Sequence, residues 1–242
     1  MNEAIRLEGL GKRFGSLWAV RQLSLTVPSG AIHAFLGPNG AGKTTTLKLI
    51  AGLLFPTEGT VRIGNMDPSR DWEPVRRMLS YVPDVPFLYG KLTGEEFLGF
   101  VGGLHGMDGG SLVARIDLFV ERFGLQQYHR RRVESYSHGT RQKYVISAAL
   151  LSHPRVLLVD EPMVGLDPAS SRILKDLLRE EADGGACVLL STHTLSVAQE
   201  LADRITVINR GSLVLSGTTS ELLGHDRARS LEDLFLEITQ PT

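Results

Sequence analysis

Residues 31–44 read AIHAFLGPNGAGKT. A short apolar run that ends at Leu36 has the character of a buried strand, and the pattern from Thr44 to Leu54 is helical, with Pro56 as its stop signal. Between them lies a loop with the spacing GxxxxGK[ST], which holds phosphates when it joins a strand to a helix. This stretch therefore predicts an α/β fold with a nucleotide-binding site.

The chemistry of this loop follows from its residue types. Glycines let successive backbone N–H groups point inward at phosphate oxygens, and the positive end of the following helix adds to the attraction. We expect Lys43 to reach the β- and γ-phosphates and the Thr44 hydroxyl to bind Mg²⁺. A glycine-rich turn with an incidental lysine, the alternative, would match this spacing in about one chain in a hundred of this length. The predicted phosphate-binding residues are Gly37, Pro38, Asn39, Gly40, Ala41, Gly42, Lys43, Thr44 and Thr45.

Two carboxylates follow a second apolar run, residues 156–159. Asp160 and Glu161 would stand at the carboxyl end of a strand, where open α/β sheets place their ligands. We expect Asp160 to hold Mg²⁺ directly or through water, and Glu161 to polarise a water that attacks the γ-phosphate. Solvated charge at the end of a core strand is the alternative, and the phosphate loop upstream favours the catalytic interpretation. A second carboxylate at this place favours hydrolysis over transfer to an acceptor.

The composition is that of a folded protein. Of 242 residues, 42% are apolar and 22% are charged, so the chain lacks the low hydrophobicity and charge excess of disordered proteins. A net charge of −1 gives no general basic field, and we expect no nucleic-acid partner. A single cysteine, Cys187, a start without a signal-peptide pattern and no apolar run near 18 residues predict a cytoplasmic protein that meets a membrane only through a partner.

The order of the patterns predicts one domain, residues 1–242, built in two lobes. Alternating residues mark strands near the N-terminus, and continuous apolar runs at 156–159 and 187–190 predict parallel strands covered on both faces. The middle third is helical in pattern and contains a capping box at Thr93 and Glu96. We assign a core lobe to residues 1–84 and 155–223, a helical lobe to 85–154, and a tail helix to 224–242.

Three further motifs give the chain a family resemblance. Ser137-His138-Gly139-Thr140-Arg141-Gln142 is similar to the LSGGQ sequence of ATP-binding-cassette (ABC) proteins, Gly165-Leu166-Asp167 to their D-loop, and Ser191-Thr192-His193 to their switch histidine. With the phosphate loop and the acidic pair, these motifs stand in the order of that family, and the match covers nearly the whole chain. The chain thus resembles the nucleotide-binding subunit of an ABC transporter.

The resemblance implies a P-loop NTPase core: a mixed sheet covered by helices, with an N-terminal antiparallel β part and an inserted α-helical lobe. It implies ATP and Mg²⁺ as cofactors, and a head-to-tail dimer with a second copy or a homologous cassette. Ser137 and Gly139 of one chain would complete the γ-phosphate site on Lys43 of the other, although a helix N-cap is the structural alternative for Ser137. The other implied partner is an integral-membrane permease, which would hold the subunit at the inner face of the cell membrane.

The resemblance also assigns roles to single residues. Lys43, Glu161 and His193 would be catalytic, His193 by donating to the γ-phosphate and by helping to position Glu161. Asp167 would signal across the dimer, and Phe14 would stack on adenine. Each of the last three has a structural alternative: His193 as a satisfied histidine, Asp167 as a helix N-cap, and Phe14 as a core residue.

Four positions depart from the family pattern. Asp84 stands where the family has glutamine at the hinge into the helical lobe. A carboxylate only accepts hydrogen bonds, whereas an amide also donates, so Asp84 is both a third metal candidate and a candidate coupling hinge. The other departures are His138 for glycine, Thr140 for glutamine and Tyr136 for leucine, which should tune the second phosphate site without abolishing it.

An acidic residue at this hinge and the tail segment 231–239 together resemble the branch whose cassettes serve separate permeases that export drugs, lipids or polysaccharides. A plain amphipathic helix is the alternative for the tail, and the basic run 129–132 is interpreted as a solvated face. A soluble mechanical ATPase is the rival function, but such proteins carry a long heptad segment or two cassettes in one chain. A small-molecule kinase would leave the Ser137 motif and the pair of Glu161 and His193 without a task.

Overall fold

The computed structural model describes residues 3–223. Its strands in chain order are β1 (Glu3–Phe14), β2 (Leu17–Pro28), β3 (Ala31–Leu36), β4 (Glu58–Ile63), β5 (Leu79–Val82), β6 (Val156–Asp160), β7 (Cys187–Thr192), β8 (Arg204–Asn209) and β9 (Ser212–Thr218). Its helices are α1 (Lys43–Ile50), α2 (Trp72–Met78), α3 (Gly94–Leu104), α4 (Gly109–Arg122), α5 (His138–Leu150), α6 (Pro168–Asp183), α7 (Leu195–Leu201) and α8 (Thr219–Leu223). In this part of the chain, no helix has the length and apolar character needed to cross a membrane. The predicted tail helix 224–242, with its segment 231–239, lies outside the described residues.

Two sheets organise these elements. The first is antiparallel, with the order β2-β1-β4, and confirms the predicted N-terminal antiparallel part. The second has the order β5-β6-β7-β3-β8-β9 and is parallel except for the final β8–β9 hairpin. Because β6, β7 and β3 are successive neighbours, the polar residues that follow them meet at one edge of the sheet.

The side chains of β6 alternate between two hydrophobic clusters. Val156 and Leu158 pack with α1 and the antiparallel sheet, whereas Leu157 and Val159 pack with α3, α4, α5 and α6. All four are buried. The prediction that this strand is covered on both faces is confirmed. Its buried apolar side chains fix the position of Asp160 at the carboxyl end of the strand.

Helices α3, α4 and α5 fill most of the chain between β5 and β6. Thr93 begins α3 with the predicted capping box, in which its side chain accepts from the Glu96 N–H and the Glu96 side chain accepts from the Thr93 N–H. Ile116 and Phe119 of α4 are buried and enter the same cluster as one face of the central sheet. The limits of the helical lobe, residues 85 and 154, stay a prediction.

The helix that follows the phosphate loop is shorter than its pattern predicts. It ends at Ile50 and not at Leu54. Gly52 has a φ of 70°, and the Leu53 N–H returns to a carbonyl of the last helical turn, 2.9 Å away. A left-handed glycine satisfies the last carbonyls of a helix and turns the chain away. Gly52 is therefore the stop signal, four residues before Pro56.

Candidate active site

The phosphate loop connects β3 to α1, as predicted, and two of its glycines have no room for a side chain. Gly42 has a φ of 105°, and a Cβ added there would lie 2.3 Å from the Ala19 carbonyl oxygen. A Cβ at Gly37 would lie 2.5 Å from the Ile208 carbonyl oxygen. The loop is thus pressed between β2 and β8, which fixes its curl. Thr44 and Thr45 follow in the first turn of α1 and are half-buried.

Lys43 lies across the inside of this loop. Its side chain is buried, and Nζ donates to the Gly37 carbonyl at 2.8 Å and to the Pro38 carbonyl at 3.3 Å. The same Nζ lies 3.5 Å from Glu161 Oε1. A buried ammonium held by carbonyls and one carboxylate is positioned to exchange these partners for phosphate oxygens, which it binds more strongly.

Asp160 ends β6 and is fully buried. The Ser191 hydroxyl donates to its Oδ1 at 2.7 Å, while Oδ2 has no hydrogen-bond partner among the described residues. Burial raises the pKa of Asp160, the nearby hydroxyls of Thr44 and Ser191 lower it, and the charges of Asp84 and Glu161 raise it further. A buried carboxylate oxygen with an unfilled site beside a threonine hydroxyl suits a hard cation.

The chemistry of Thr44 and Asp160 is compatible with Mg²⁺. Among residues 3–223, no cluster of three or more His, Cys, Asp or Glu side chains could hold a metal by itself. Mg²⁺ in nucleotide enzymes takes one or two protein oxygens and completes its shell with phosphates and water, so Thr44 and Asp160 are a sufficient protein contribution. Asp84 is exposed, and its Oδ1 accepts from the Val85 N–H at 2.9 Å. Asp84 lies near enough for its charge to raise the pKa of Asp160, but one of its two oxygens already accepts the Val85 N–H.

Glu161 adopts an uncommon backbone conformation. Its φ is 47°, which in a residue other than glycine costs about 1–3 kcal/mol and is concentrated at functional sites. Its N–H donates to the Ser191 carbonyl at 3.0 Å, so the turn is tied to β7. Its Oε1 lies 2.9 Å from His193 Nδ1. The fold therefore brings Lys43, Glu161 and His193 together around one carboxylate, because β3, β6 and β7 end side by side.

The residues of the LSGGQ-like and D-loop-like motifs, here called the signature residues, lie apart from this group. Ser137 is the N-cap of α5 and accepts from the Thr140 N–H at 3.2 Å, and Asp167 is the N-cap of α6 and accepts from the Ser170 N–H at 2.8 Å. Both N-cap interpretations are confirmed. The hydrogen bond from the Ser170 N–H is also the main reason that the pKa of Asp167 is lowered. Within the described chain, no hydrogen bond or ion pair joins Ser137, Gly139 or Asp167 to residues 37–45.

The start of α5 instead packs on the segment 162–167, which directly follows Glu161. A Cβ at Gly139 would lie 2.5 Å from the Gly165 carbonyl oxygen, and His138 covers the other side of Gly165. Lys143 Nζ lies 3.1 Å from Asp167 Oδ2. The sequence reasoning missed Lys143 because its partner is 24 residues away and no local pattern marks the pair.

Phe14 lies at the end of β1 with 48% of its surface exposed. The alternative of a core phenylalanine is therefore wrong. Lys12 Nζ stands 5.2 Å from the ring centroid, a cation–π distance. The ring is free to stack on a flat partner, although no contact of the described residues joins it to the phosphate loop.

Comparison with known proteins agrees with this geometry. A family model described as ABC transporter matches residues 20–164, more than half of the chain. The chain belongs to the ABC transporter family. The daunorubicin/doxorubicin resistance ATP-binding protein of Streptomyces peucetius is 39% identical over 219 residues, which are 90% of this chain and 66% of that protein, so this chain spans about two thirds of its relative. The bacitracin transport ATP-binding protein of Enterococcus faecalis is 35% identical over 230 residues, which are 95% of this chain and 73% of that protein.

A solved structure shows the same fold. The ATP-binding subunit of an ABC transporter superposes with a TM-score of 0.91 at 30% identity, over 98% of this chain and all of the other. The predicted P-loop NTPase core with its mixed sheet, antiparallel part and helices is thereby confirmed. This ABC protein is an ATP-binding cassette of the ATPase class, and ATP is its nucleotide.

Proposed function

We propose that this ABC ATPase hydrolyses ATP in a head-to-tail dimer around two Mg-ATP and drives export by a separate membrane permease. The observation that carries the proposal is the separation of two phosphate-binding features in one chain. Lys43, Glu161 and His193 form one group. Ser137 and Gly139 begin a 13-residue helix elsewhere and make no contact with that group in the described chain.

The start of α5 suits an anion for a physical reason. Unpaired N–H groups and the helix dipole favour negative charge there, and the Ser137 side chain is exposed beside them. Within the described residues, no hydrogen bond joins this helix start to the phosphate loop of its own chain. In the proposed dimer it binds the γ-phosphate of the ATP on the other chain. In the same way, the partner's Ser137 and the partner's Gly139 close the site on Lys43.

The reaction then follows from the group around Glu161. Lys43 exchanges Glu161 for the β- and γ-phosphates, which frees the carboxylate to accept a proton from the attacking water. Water oxygen bonds to the γ-phosphorus, the bond to the ADP oxygen breaks, and His193 donates to the γ-phosphate while holding Glu161 in place. When bound, Mg²⁺ neutralises phosphate charge, with Thr44 and Asp160 as its protein ligands.

An exposed apolar groove supports coupling to a permease. The groove has a volume of about 870 Å³ and lies between the end of α1, β5 and the helices α3 and α5. Phe87 is 73% exposed there, and edge-to-face contacts join it to Tyr89 and Tyr89 to Phe100, with centroid distances of 5.8 and 5.7 Å. Contiguous exposed aromatic side chains mark interaction surfaces. We assign this groove to an apolar helical segment of the permease, which would hold the subunit in the cytoplasm at the inner face of the membrane.

The relatives suggest the class of cargo. One is a daunorubicin/doxorubicin resistance protein and the other a bacitracin transport protein. Export of drug-like or antibiotic molecules is the corresponding proposal for this chain, and the permease carries the contacts that select among them.

The variant Glu161→Gln tests the dimer. It removes the proton acceptor and weakens the attraction to Lys43 while keeping the shape of the side chain, so ATP binds and is not hydrolysed. We expect the variant to elute as a dimer in gel filtration with Mg-ATP and as a monomer with EDTA. The double variant Glu161→Gln/Ser137→Ala is the matched control and should form less dimer at the same ATP concentration. A Glu161→Gln protein that stays monomeric at saturating Mg-ATP contradicts the proposal.

A further inference from the structure

One buried hydroxyl near the metal candidates has no task in the reaction above. Tyr81 lies in β5, and its side-chain oxygen is buried with no hydrogen-bond partner among the described residues. A buried tyrosine hydroxyl usually finds a partner, because leaving it unpaired costs about 1–3 kcal/mol. Asp160 Oδ2 is the corresponding unpaired acceptor on the next strand.

The strand register brings these two groups to the same side of the sheet. Tyr81 is paired with Leu158 in the parallel β5–β6 ladder. Asp160 follows two residues later, so its side chain lies on the same face as those of Leu158 and Tyr81. With strands about 4.8 Å apart and a rise of about 3.3 Å per residue, such diagonal neighbours lie about 8 Å apart between backbones, which is within reach of an aromatic side chain.

Charge determines which partner donates. A tyrosine phenol carries a proton at neutral pH, because it ionises only at a pKa of about 10. The phenol therefore keeps its proton and is a donor. Asp160 and Asp84, when ionised, can only accept.

We propose that Tyr81 is a positioning residue of the magnesium site, whose phenol O–H donates a hydrogen bond to the Asp160 carboxylate. With Ser191 on Oδ1 and Tyr81 on Oδ2, the carboxylate would be held by two hydroxyl donors in a fixed orientation, and its remaining lone pairs would be available to bind Mg²⁺. This inference rests on the part of the proposed function that assigns Asp160 to Mg²⁺, and it does not depend on dimer formation.

The same contact explains how the site works with an acid at position 84. An amide there could donate a hydrogen bond into the site, but Asp84 adds a third carboxylate beside Asp160 and Glu161. Tyr81, three residues earlier, supplies a neutral donor from the same strand end.

The variant Tyr81→Phe removes only the hydroxyl. We expect the dissociation constant for ADP measured by calorimetry in Mg²⁺ to rise about tenfold, because a hydrogen bond to a charged group is lost. In EDTA, without metal, the ADP dissociation constant should stay within about twofold, since the phosphate loop is untouched. Tyr128→Phe removes a hydroxyl from the loop after α4, outside both the site and the groove, and is the matched control.

Two results would overturn the inference. One is equal weakening of ADP binding in Mg²⁺ and in EDTA, which would mean a general packing role, and the other is no change in Mg²⁺. A second variant tests the donor role directly: Asp84→Gln added to Tyr81→Phe should recover part of the Mg²⁺-dependent affinity. A double variant no better than Tyr81→Phe counts against the inference. A monomeric Glu161→Gln protein would leave this result standing, so the two proposals fail separately.

Discussion

Single residues at the end of the central strands set the chemistry, and Lys43 connects most of them. Its ammonium is shared between two loop carbonyls and Glu161. Nucleotide binding therefore replaces contacts that the loop already makes, and the side chain needs little rearrangement. The strained turn at Glu161 keeps the carboxylate within reach of both Lys43 and His193.

The variant Lys43→Ala should weaken ATP binding by at least about tenfold, because charge-assisted contacts to the phosphates are lost. Equilibrium titration with a fluorescent ATP analogue measures the effect. Lys48→Ala, five residues later on the same helix, is the control and should bind as the unmodified protein does. An unchanged dissociation constant for Lys43→Ala would show that the loop does not bind phosphates as assigned.

His33 gives a prediction about pH. It is buried in β3, its Nε2 lies 2.7 Å from Thr206 Oγ1, and its Nδ1 has no partner among the described residues. Burial, with a smaller effect of Arg204, lowers the pKa of His33 from 6.5 to about 4. In the unfolded chain the group takes a proton at higher pH than in the folded chain, so stability is full above pH 6.5 and falls as the pH drops toward 4.

We expect the free energy of unfolding to lose about 2 kcal/mol between pH 7 and pH 5 through this one group. Denaturant titrations at both pH values measure the loss. His33→Gln keeps an amide near Thr206 but does not titrate, and its loss over the same interval should be smaller by that amount. Equal losses in the two proteins would remove His33 as the cause.

At the scale of elements, the helix start at α5 and the segment 162–167 behave as one unit. Gly139 has no space for a Cβ against the Gly165 carbonyl, and Lys143 pairs with Asp167. The segment directly follows Glu161. Contacts with α5 therefore hold the chain next to the turn that carries the Glu161 carboxylate.

The variant Gly139→Ala should destabilise the protein by about 1–3 kcal/mol, because the added methyl group meets backbone that cannot move freely. Gly103→Ala in α3 is the matched control: a Cβ there meets nothing within 4 Å, and alanine should raise stability by about 0.5–1 kcal/mol. Thermal unfolding of both variants gives the comparison. Similar shifts in the two would show that the contact with Gly165 is unimportant for stability.

Local elements were predictable from sequence where one short segment contains the whole signal. The capping box at Thr93, the phosphate loop and the strand before Asp160 are such cases, since each combines a periodic pattern with its own boundary residues. The sequence pattern places the end of α1 too late, because Pro56 is a stronger stop signal in sequence than Gly52. Glycine ends helices by its left-handed conformation, and that signal is weak without the structure.

Contacts between distant segments were not predictable in the same way. Lys143 with Asp167, and Tyr81 beside Asp160, depend on how helices and strands are aligned after folding. For Ser137 and Asp167, the local structure was predictable but their role was not. Their N-cap geometry is visible in sequence and in structure, but the geometry alone does not distinguish a cap from a phosphate ligand.

At the scale of the whole molecule, the apolar groove runs along β5 to the hinge residues on either side of Asp84 and reaches α5, the helix that begins after Ser137. Its floor includes Phe97 and Val145, from α3 and α5, while Phe87 and Tyr89 project from the loop after Asp84. A partner seated in this groove would therefore contact both the hinge and α5 at once.

The variant Phe87→Glu should reduce co-purification with the permease, because it places a charge in an apolar contact. Phe55→Glu is the control, since Phe55 is 66% exposed and lies outside the groove. Affinity purification from cells that express the cassette and its permease together, with membrane and soluble fractions compared, provides the measurement. Retention of Phe87→Glu at the level of Phe55→Glu would exclude the groove as the docking surface.

Ser137 has no link to the phosphate loop of its own chain, and this separation has a genetic consequence. In the proposed dimer, a cell that makes only Lys43→Ala chains, or only Ser137→Ala chains, has defects in both pockets of every pair. When the two defective genes are expressed together, mixed pairs combine an intact lysine from one gene product with an intact serine from the other in one pocket. Two inactive alleles should thus complement each other, because about half of the pockets in the mixed pairs are intact. If each chain worked as a self-contained monomer, the two alleles would not complement each other.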